Sequence, residues 1–537
     1  MDRRYLFVVG GVCSSLGKGI CAASIATILR SAGVRIGIMK LDPYLNIDPG
    51  TMSPYQHGEV FVLNDGAETD LDLGYYERFT GLSMQRDCSV SAGKIYQQVL
   101  QGEREGSYLG GTIQVVPHIT DAIQQRIEGL AEAYDAEVML IELGGTVGDI
   151  EADPFLEAVR RMKTQYHDQV RVAMLGLVPY LQGAGELKTK PMQLAVRELN
   201  RRGLRADLLF ARADKPVPES LLEKISLFAD IEPQCVIPAP TVESIYAVPL
   251  HFDAQKVGEK ILEKFGITGK APQMHHWKAG YERRQHTVGS VSIGLAGKYV
   301  GLDDAYKSVI EALESAAYNA HLEPHITWID TEKIEMDDHL ERQKLASMDC
   351  IVVPGGFGIR GIEGKIRVAQ YCRERKKPYL GLCLGSQILA IEYARNVLGM
   401  TDATSEEFDE EGKSQHHIVH FIPEQRTITD KGGTMRLGAY DCLITPGTLA
   451  HRLYGKEQIT ERHRHRYEIN TRYTPALEAA GLRVSGWDPS HKLPEIVEVE
   501  GHPYMIASQF HPEFISSPFT PHPLFAGLIA ATDKSPR

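Results

Sequence analysis

The chain has 537 residues, of which 43% are hydrophobic and 24% charged, a composition typical of folded globular proteins and a length that favours several domains. Its 70 acidic and 58 basic residues leave a formal net charge of −12, so the overall balance indicates no basic face for duplex DNA. No apolar run approaches the ~18 residues of a membrane-spanning helix. We therefore expect a multidomain protein with no nucleic-acid partner and no membrane partner.

The cysteines are scattered through the chain without a CxxC pair, which argues against both a disulfide framework and a zinc site. The eight are Cys13, Cys21, Cys88, Cys235, Cys350, Cys372, Cys383 and Cys442. The first residues enter a strand-like run without the apolar region of a signal peptide. These features predict a protein of the reducing cytoplasm.

Short apolar runs alternate with longer amphipathic runs, the pattern of βαβ units and a parallel sheet. In the first half, the predicted strands are 5–9, 35–41, 136–142, 170–178 and 206–211. The predicted helices there are 17–32, 192–202 and 219–228.

Residues 266–289 lose this periodicity and are rich in Gly, Pro, His, Lys and Arg, which predicts a linker. The pattern then restarts, with predicted strands 291–296, 350–353 and 379–382 and predicted helices 303–321 and 365–375. The sequence therefore predicts an α/β protein with two doubly wound parallel-sheet domains, residues 1–265 and 290–537.

A glycine-rich loop, GGVCSSLGKG, follows the first predicted strand and opens the first predicted helix. Glycines let a backbone approach phosphates closely, and the N–H groups at a helix N-terminus attract anions. We expect Lys18 to reach the terminal phosphates of a nucleotide. The match to the G-x-x-x-x-G-K-[ST] template is imperfect, because Val12 replaces the first Gly and Gly19 replaces the Ser/Thr. The alternative is an ordinary turn, which the strand–loop–helix context disfavours.

Because position 19 lacks a hydroxyl, a bound metal would need carboxylates from elsewhere in the chain. Glu142 closes an apolar strand, as the metal-binding acid of P-loop enzymes does. Asp72 is the second candidate, with Asp70 as the alternative ligand in the same segment.

Two further segments are unusually polar or constrained for simple loops. Residues 40–51 leave the second predicted strand, at the edge where α/β sheets bind ligands. Residues 187–193 place the ammonium groups of Lys188 and Lys190 close together before a helix, which suits a triphosphate. An exposed basic turn is the alternative for the second segment.

Gly381, Cys383 and Gly385 form a nucleophile elbow, G-x-C-x-G, with sulfur in place of the usual serine oxygen. A helix N-terminus behind the cysteine favours thiolate over thiol. Taken alone, Cys383 is more commonly explained as a buried cysteine that packs beside small residues.

A second motif, QFHPE, favours the catalytic interpretation. His511 and Glu513 lie two residues apart and would project the same way from an extended segment, so Glu513 can orient the imidazole that takes the proton from Cys383. The N–H groups of Gly356 and Leu384 are candidates for an oxyanion hole. The sequence therefore predicts a Cys–His–Glu triad.

Residues 290–530, about half of the chain, resemble a class I glutamine amidotransferase domain. The segments GGVCSSLGKG, KLDPYLNIDPGTMSPYQHGEVFV, LGGTVGDIE and KTKPMQ resemble the P-loop NTPase-like synthetase domain of the CTP synthase family. Together the two resemblances cover nearly the whole chain in the family's order.

The resemblance implies a reaction in which ATP phosphorylates the 4-oxygen of UTP and ammonia then displaces phosphate to yield CTP. Glutamine hydrolysis at the second site supplies the ammonia, through an internal channel. The resemblance also implies Mg²⁺ as cofactor, GTP as activator, CTP as feedback inhibitor, and a homotetramer that can form filaments. No GTP motif stands out in this sequence.

The resemblance also implies a set of site residues. ATP is assigned to Ser15, Leu16, Gly17, Lys18, Gly19, Ile20 and Asp72, and the metal to Asp72 and Glu142. UTP and CTP are assigned to Ser14, Lys188, Thr189, Lys190, Pro191, Met192, Gln193 and Lys224. The inhibitor CTP is assigned to Asp149, Ile150 and Glu151. Glutamine is assigned to Gly356, Leu384, Gly385, Ser386, Gln387, Glu407 and Arg466.

Two alternative functions stay open at this point. One is another ATP-dependent amidoligase with this pair of domains, acting on a carboxylate such as those of cobyrinic acid precursors; the pyrimidine-site segments argue against it. The other is a P-loop ATPase switch with a decayed amidotransferase domain that acts as a scaffold. An intact set of Cys383, His511 and Glu513 argues against decay.

Overall fold

The computed structural model describes residues 3–409, 411–422 and 433–532. The chain forms two compact units, the first made of residues 1–48 and 75–281 and the second of residues 49–74 and 282–537. Within the described ranges, no helix has both the length and the apolar character needed to cross a membrane.

The first unit is built on a seven-stranded sheet in which every pair of neighbours is parallel. In spatial order the strands are Val236–Pro240, Leu208–Ala213, Val170–Leu177, Arg4–Gly11, Val138–Leu143, Ile36–Asp42 and Ser89–Ser91. The central strands are buried along nearly their whole length, which explains their continuous apolar sequences. The chain starts at the central strand and adds strands on both sides of it, so a topological switch point lies at Arg4–Gly11, where ligands bind in such sheets.

Helices follow most of these strands. Those of the first unit are Lys18–Ser31, Ala92–Arg104, Thr120–Ala133, Asp153–Tyr166, Lys190–Arg201, Glu219–Ala229, Val248–Ala254 and Val257–Lys264. Two others, Asp72–Thr80 and His275–Gln285, cross the boundary between the units. The helix predicted at 192–202 begins two residues earlier, because Pro191 fits the first turn, where a missing N–H costs no hydrogen bond.

The second unit contains a nine-stranded sheet that is only partly parallel. In spatial order the strands are Leu322–Asp330, Gly289–Gly297, Cys350–Val353, Tyr379–Leu382, Met505–Ser508, Pro494–Val499, Leu482–Trp487, Arg436–Ile444 and Gln458–His465. The first five are parallel, as predicted, whereas the last four join in antiparallel pairs. Short connections join Leu482–Trp487 to Pro494–Val499 and Pro494–Val499 to Met505–Ser508, and a short turn cannot make a parallel crossover. The α/β class is confirmed, but the sheet is mixed.

Smaller elements complete the second unit. Its helices are Pro54–His57, Lys307–Asn319, Thr331–Glu335, His339–Ser347, Ile362–Arg375, Leu384–Asn396, Leu449–Tyr454, Thr474–Ala479 and Pro523–Ala530. Its short strands are Phe61–Val62, Glu68–Thr69, Thr404–Ser405, His417–Phe421 and Tyr467–Ile469. Separate apolar cores cover the two faces of the large sheet: Ile351 and Val353 point into one, and Cys350 and Val352 into the other.

The compact units divide the chain differently from the predicted domains. The predicted linker contains the helix His275–Gln285, and residues 49–74 of the predicted first domain pack with the second unit. Ala439 donates a backbone hydrogen bond to the Asn64 carbonyl at 2.9 Å, and Arg462 Nε donates to Asn64 Oδ1 at 2.6 Å. Contacts between residues nearly 400 positions apart leave no trace in local composition.

Candidate active sites

Cys383 occupies a strained turn between the strand Tyr379–Leu382 and the helix Leu384–Asn396. Its φ of 51° and ψ of −100° are rare for a residue with a side chain. A Cβ on Gly381 would lie 2.6 Å from the Gly385 carbonyl oxygen, and a Cβ on Gly385 would lie 2.2 Å from the Val353 carbonyl oxygen. Only glycine fits at either position, so the spacing predicted for a nucleophile elbow has a steric cause.

Two polar groups contact the sulfur of Cys383. Its thiol donates to the Arg464 carbonyl at 3.7 Å, and Gln509 Nε2 donates to the sulfur at 3.7 Å. Gln387 Nε2 donates to Gln509 Oε1 at 3.3 Å, and so orients the Gln509 amide. Gln387 thus contacts a residue that touches the nucleophile, and its role in binding glutamine stays a prediction, while Gln509 was missed by the sequence reasoning.

His511 and Glu513 form a buried pair, with 2.7 Å between Nδ1 and Oε1. The pair forms through a 3₁₀ turn at Pro512–Ile515 and not through the extended segment that the sequence suggested. A Cβ on Gly355 would lie 2.9 Å from His511 Cε1 and 3.6 Å from Cys383 Cβ, so both side chains pack against this glycine. His511 Nε2 has no hydrogen-bond partner among the described residues.

The electrostatics of His511 suit a proton acceptor. Burial by itself lowers the pKa of the imidazole, but the carboxylate of Glu513 and the sulfur of Cys383 outweigh it and raise that pKa to about 10. A proton that leaves Cys383 is therefore held well by His511.

A cavity of about 200 Å³ opens at this cysteine, entirely within the second unit. It is lined by Gly50, Thr51, Met52, Pro54, Glu59, Val60, Tyr299, Ala305, Tyr306, Val309, Gly355, Gly356, Phe357, Cys383, Arg464, His511, Glu513 and Phe514. A Cβ on Gly356 would lie 3.6 Å from Leu384 Cδ2, so the two predicted oxyanion-hole residues are neighbours.

The other residues predicted to bind the substrate glutamine lie in three places. Leu384, Gly385 and Ser386 lie in the buried first turn of the helix behind Cys383. Glu407 Oε1 accepts the Gly358 N–H at 2.7 Å, and burial raises the pKa of this carboxyl, against the opposing charges of two lysines. Arg466 donates to Thr434 Oγ1 at 2.9 Å and does not line the cavity.

Arg464, which the sequence reasoning passed over, does line this cavity. Its Nε pairs with Glu68 Oε1 at 2.8 Å, and its Nη2 donates to the Gly50 carbonyl at 3.1 Å. Residues 49–60 thus form one wall of the cavity through Arg464. The unusual polarity of residues 40–51 was the available signal, but it did not indicate which unit this segment joins.

In the first unit, the glycine-rich loop has the strand–loop–helix context that the sequence predicted. Val12 and Ser15 have φ values of 85° and 57°, and the helix begins at Lys18 after Gly17 at φ 93°. Lys18 is 8% exposed, and its Nζ donates to the Gly145 carbonyl at 2.8 Å. Of the other predicted ATP residues, Ser15 and Gly17 are exposed and Ile20 is half-buried, whereas Leu16 and Gly19 are buried.

The segment predicted for inhibitory CTP follows the strand next to this loop. Val147 donates its N–H to the Gly10 carbonyl at 2.8 Å, and Asp149 Oδ2 accepts the Thr146 N–H at 2.8 Å. Ile150 is 82% exposed and Glu151 is also exposed, so this segment presents side chains at the carboxyl edge of the sheet.

Glu142 is a buried carboxylate at the end of its strand, and the Tyr76 hydroxyl donates to its Oε2. Burial, and secondarily the charge of Glu142, raises the pKa of Cys21, so this carboxylate lies beside the helix that follows the loop. Asp72 opens the helix Asp72–Thr80 and donates its N–H to Asp70 Oδ1 at 3.0 Å.

No group of three or more His, Cys, Asp and Glu side chains in the described part of the chain has a metal-binding arrangement. Mg²⁺ in nucleotide enzymes takes one or two protein carboxylates and fills its other positions with phosphate oxygens and water. A single carboxylate such as Glu142 beside a phosphate loop therefore fits this ion.

Two of the lysines predicted to hold the pyrimidine nucleotide, Lys188 and Lys224, lie near Glu186. A hydrogen bond from Lys188 lowers the pKa of Glu186, and the charge of Lys224 lowers it further. Lys224 and Lys190 are both exposed. Ser14 is exposed in the glycine-rich loop.

The rest of this predicted segment begins the helix Lys190–Arg201. Gln193 Nε2 donates to Thr189 Oγ1 at 3.0 Å, and Pro191 stands in the first turn. Met192 is fully buried, and a Cβ on Gly176 would lie 2.8 Å from its Cγ. The side chain of Met192 therefore belongs to the core, and only its backbone is available to a ligand.

Beside the glycine-rich loop lies a second cavity, of about 230 Å³, that the sequence reasoning missed. It is lined by Ser15, Leu16, Gly17, Ile20, Cys21, Leu175, Arg212, Ala239, Pro240, Thr241, Val242, Ile245, Val248, His251 and Phe252. Most of its walls are apolar. Leu175, Arg212, Ala239 and Pro240 come from the carboxyl ends of parallel strands, and the rest come from the glycine-rich loop, the helix after it and residues 241–252. The sequence analysis did not predict the strand Val236–Pro240. Arg212 and Thr241 are polar residues of the lining, and Arg212 Nη1 donates to Thr241 Oγ1 at 2.9 Å.

Comparison with known proteins covers the whole chain. A family profile described as CTP synthase N-terminus matches residues 4–267, and one described as glutamine amidotransferase class-I matches residues 302–531. Proteins named CTP synthase from Chloroflexus aurantiacus and Carboxydothermus hydrogenoformans are 51% and 49% identical over 533 residues, which is 99% of this chain and 97% and 99% of theirs. A solved structure titled "Trypanosoma brucei CTPS - glutaminase domain with bound acivicin" is 38% identical, covering 46% of this chain and 96% of that one at a TM-score of 0.43.

Proposed function

This chain belongs to the CTP synthase family, and we propose that Cys383 releases ammonia from glutamine, which the glycine-rich-loop site then uses. Family membership over 99% of the chain makes it a glutamine-hydrolysing ligase that forms CTP from UTP in pyrimidine biosynthesis. The roles of Cys383, His511 and Glu513 are proposed from the geometry of their site, and most of the other residue roles are proposed from the family resemblance.

At the first site, the sulfur of Cys383 attacks the carboxamide carbon of glutamine as its proton passes to His511. The developing oxyanion accepts hydrogen bonds from the N–H groups of Gly356 and Leu384. His511 then gives its proton to the departing nitrogen, and ammonia leaves a thioester on Cys383. Water, deprotonated by His511, hydrolyses the thioester to glutamate, and Glu513 stabilises the imidazolium throughout.

Of the residues proposed to hold glutamine, only Gly356 lines the cavity at Cys383, and the assignment of the others rests on the family resemblance. Glu407 is a buried carboxylate, suited to the α-amino group, and Arg466 carries the charge suited to the α-carboxylate. Leu384, Gly385, Ser386 and Gln387 present the first turn of the helix to the substrate. With its α-amino and α-carboxylate groups bound by Glu407 and Arg466, glutamine would present its carboxamide to Cys383.

At the second site, ATP phosphorylates the 4-oxygen of UTP, and ammonia adds to carbon 4 and expels phosphate. A carbonyl oxygen is a poor leaving group, whereas phosphate is a good one, which is why ATP is consumed. Residues 15–20 would bind the phosphates of ATP, and the apolar cavity beside them has the size and walls that suit its flat base. Lys18 is proposed to contact the terminal phosphates of ATP through its ammonium group.

Mg²⁺, when held by Glu142, would neutralise charge on the transferred phosphoryl group, and Asp72 stays the predicted second ligand. Lys188, Lys190 and Lys224 supply the positive charge that a pyrimidine triphosphate needs, together with Ser14, Thr189, Pro191, the Met192 backbone and Gln193. The same nucleotide site, with Asp149, Ile150 and Glu151, is proposed to take CTP as a feedback inhibitor.

Further properties are proposed from family membership alone. They are activation by GTP, a homotetramer able to polymerise into filaments, and a cytoplasmic location. The whole-chain match to proteins named CTP synthase favours UTP over the carboxylate substrate of the alternative amidoligase.

The observation that carries the proposal is the packing of Cys383 and His511 against Gly355 in one cavity, with Glu513 hydrogen-bonded to His511. Glutamine labelled with ¹⁵N in its amide is expected to deliver the label to the exocyclic amine of CTP when UTP, ATP and Mg²⁺ are present. Mass spectrometry of the nucleotide product measures the transfer. The control is glutamine labelled with ¹⁵N at its α-amino group, and this label should stay in the glutamate product. CTP formed without amide label would overturn the proposal.

Glu142→Gln is expected to raise the Mg²⁺ concentration needed for half-maximal CTP synthesis by about 10-fold or more, because a neutral amide binds a hard cation weakly. Magnesium titrations with ammonia as the nitrogen source measure the change. Glu137→Gln is the matched control, since Glu137 precedes the same strand at its other end and pairs with Lys270 at 2.6 Å. Equal magnesium curves for wild type and Glu142→Gln would place the metal ligand elsewhere.

A further inference from the structure

Lys365 is a fully buried lysine in the helix Ile362–Arg375, with 0% of its surface exposed. Lysines are almost never buried in this way, because removing an ammonium group from water is costly. Burial, and then the charge of Lys298, lowers the pKa of Lys365 to about 7. The proposed mechanism gives this side chain no role.

The ammonium of Lys365 lies beneath the loop that carries the proposed oxyanion donor. Its Nζ donates a long hydrogen bond of 3.5 Å to the Pro354 carbonyl, the only acceptor that the described residues offer it. A Cβ on Gly356 would lie 3.7 Å from the same Nζ. Lys365 therefore contacts the loop immediately before the Gly355–Gly356 peptide.

The other side of that peptide is anchored as well. Lys298 Nζ donates to the Phe357 carbonyl, and Gly358 donates its N–H to Glu407 Oε1 at 2.7 Å. Both ends of the Phe357–Gly358 peptide are thus held. The oxyanion donor lies between two anchored peptides, one held by Lys365 and one by Lys298 and Glu407.

The reason such anchors are needed is the glycine content of the loop. A peptide unit is planar, so holding the Pro354 carbonyl also sets the direction of the Gly355 N–H. The next peptide is flanked by Gly355 and Gly356, whose wide φ and ψ freedom would otherwise let it rotate. Gly355 is required, since a Cβ there would lie 2.9 Å from His511 Cε1. The two glycines bring no side chain that could stiffen the loop, so its conformation depends on outside anchors.

We propose that Lys365 is a positioning residue for glutamine hydrolysis, which through the Pro354 carbonyl holds the Gly356 N–H in the oxyanion hole beside Cys383. The proposal rests on the proposed function of the Cys383 site. It predicts an effect on the transition state and none on glutamine binding, because the oxyanion exists only after attack.

Lys365→Met in the full chain is expected to lower kcat for glutamine hydrolysis by about 10-fold or more while KM stays within about 3-fold. Ammonia-dependent CTP synthesis and the thermal unfolding midpoint should match wild type. Lys377→Met is the control, because Lys377 also donates to a backbone carbonyl, that of Ala346 at 2.9 Å. Lys377 precedes the start of the strand Tyr379–Leu382, whereas Cys383 follows its end. An unchanged kcat, or a rise in KM alone, would overturn the proposal.

A binding measurement separates the loop from the thiol. An aldehyde analogue of glutamine adds to Cys383 as a tetrahedral thiohemiacetal, whereas alkylation by iodoacetamide needs no oxyanion hole. In Lys365→Met, inhibition by the aldehyde should weaken by about the same factor as kcat, with alkylation within about 3-fold of wild type. An equal loss in both would assign the effect to the thiol and overturn the proposal.

Should the Met variant fail to fold, Lys365→Gln is measured by the same criteria. The Gln side chain is polar but one atom too short to reach Pro354, so the same separation of kcat from KM is expected. Failure of the proposed function itself is recognised independently, by glutamine-dependent synthesis that persists without the Cys383 sulfur.

Discussion

Cys383→Ala is expected to abolish glutamine-dependent CTP synthesis, by a factor of about 10⁴ or more, and to leave ammonia-dependent synthesis at the wild-type rate. The sulfur is the atom that forms the thioester, so no other group in the cavity replaces it, whereas added ammonia bypasses the cavity altogether. Initial rates of CTP formation, with glutamine and then with an ammonium salt at a pH where some free ammonia exists, measure both activities.

The control for this prediction is Cys372→Ala. Cys372 is fully buried in the helix Ile362–Arg375, and burial raises the pKa of its thiol, so it remains protonated and unreactive. Both activities should survive in that variant. Loss of ammonia-dependent synthesis in Cys383→Ala, with Cys372→Ala unaffected, would contradict a division of the reaction between two sites.

Lys18→Ala is expected to remove both activities, by about 100-fold or more, since glutamine-derived and added ammonia meet the same nucleotide. Its ammonium lies at the start of the helix behind the glycine-rich loop, beside the Gly145 carbonyl. Rates of ADP formation and of CTP formation, with ammonia supplied directly, measure the loss. Glutamine hydrolysis measured without nucleotides should persist.

Lys163→Ala provides the comparison for this prediction. Lys163 belongs to the same unit and pairs with Asp207 at 3.0 Å, away from the loop. Its removal should leave nucleotide turnover near wild type. Ammonia-dependent turnover that continues in Lys18→Ala would count against a phosphate role for this lysine.

Some predictions from the sequence match the structure closely, and for a common reason. The strands Cys350–Val353 and Tyr379–Leu382 have the predicted bounds, and the helix Lys18–Ser31 differs from its predicted bounds by one residue at each end. Each is a continuous apolar or amphipathic run bounded by Gly, Pro or polar residues. Such signals lie within a window of about 15 residues, so they can be read without the fold.

The sequence by itself therefore determined the α/β class, the glycine-rich loop, the elbow at Cys383 and, through motifs in a particular order, the family. Each depends on backbone geometry that a few neighbouring residues impose, such as the steric need for Gly381 and Gly385.

The tertiary structure alone decided which unit residues 49–74 join, that Arg464 lines the cavity at Cys383, and that the core takes up the Met192 side chain. It also decided that Lys365 lies buried beneath the oxyanion loop. The physical reason is that burial and ion pairing are set by partners distant in the chain, as Arg464 and Glu68 are, and no local pattern specifies which distant partner a side chain meets.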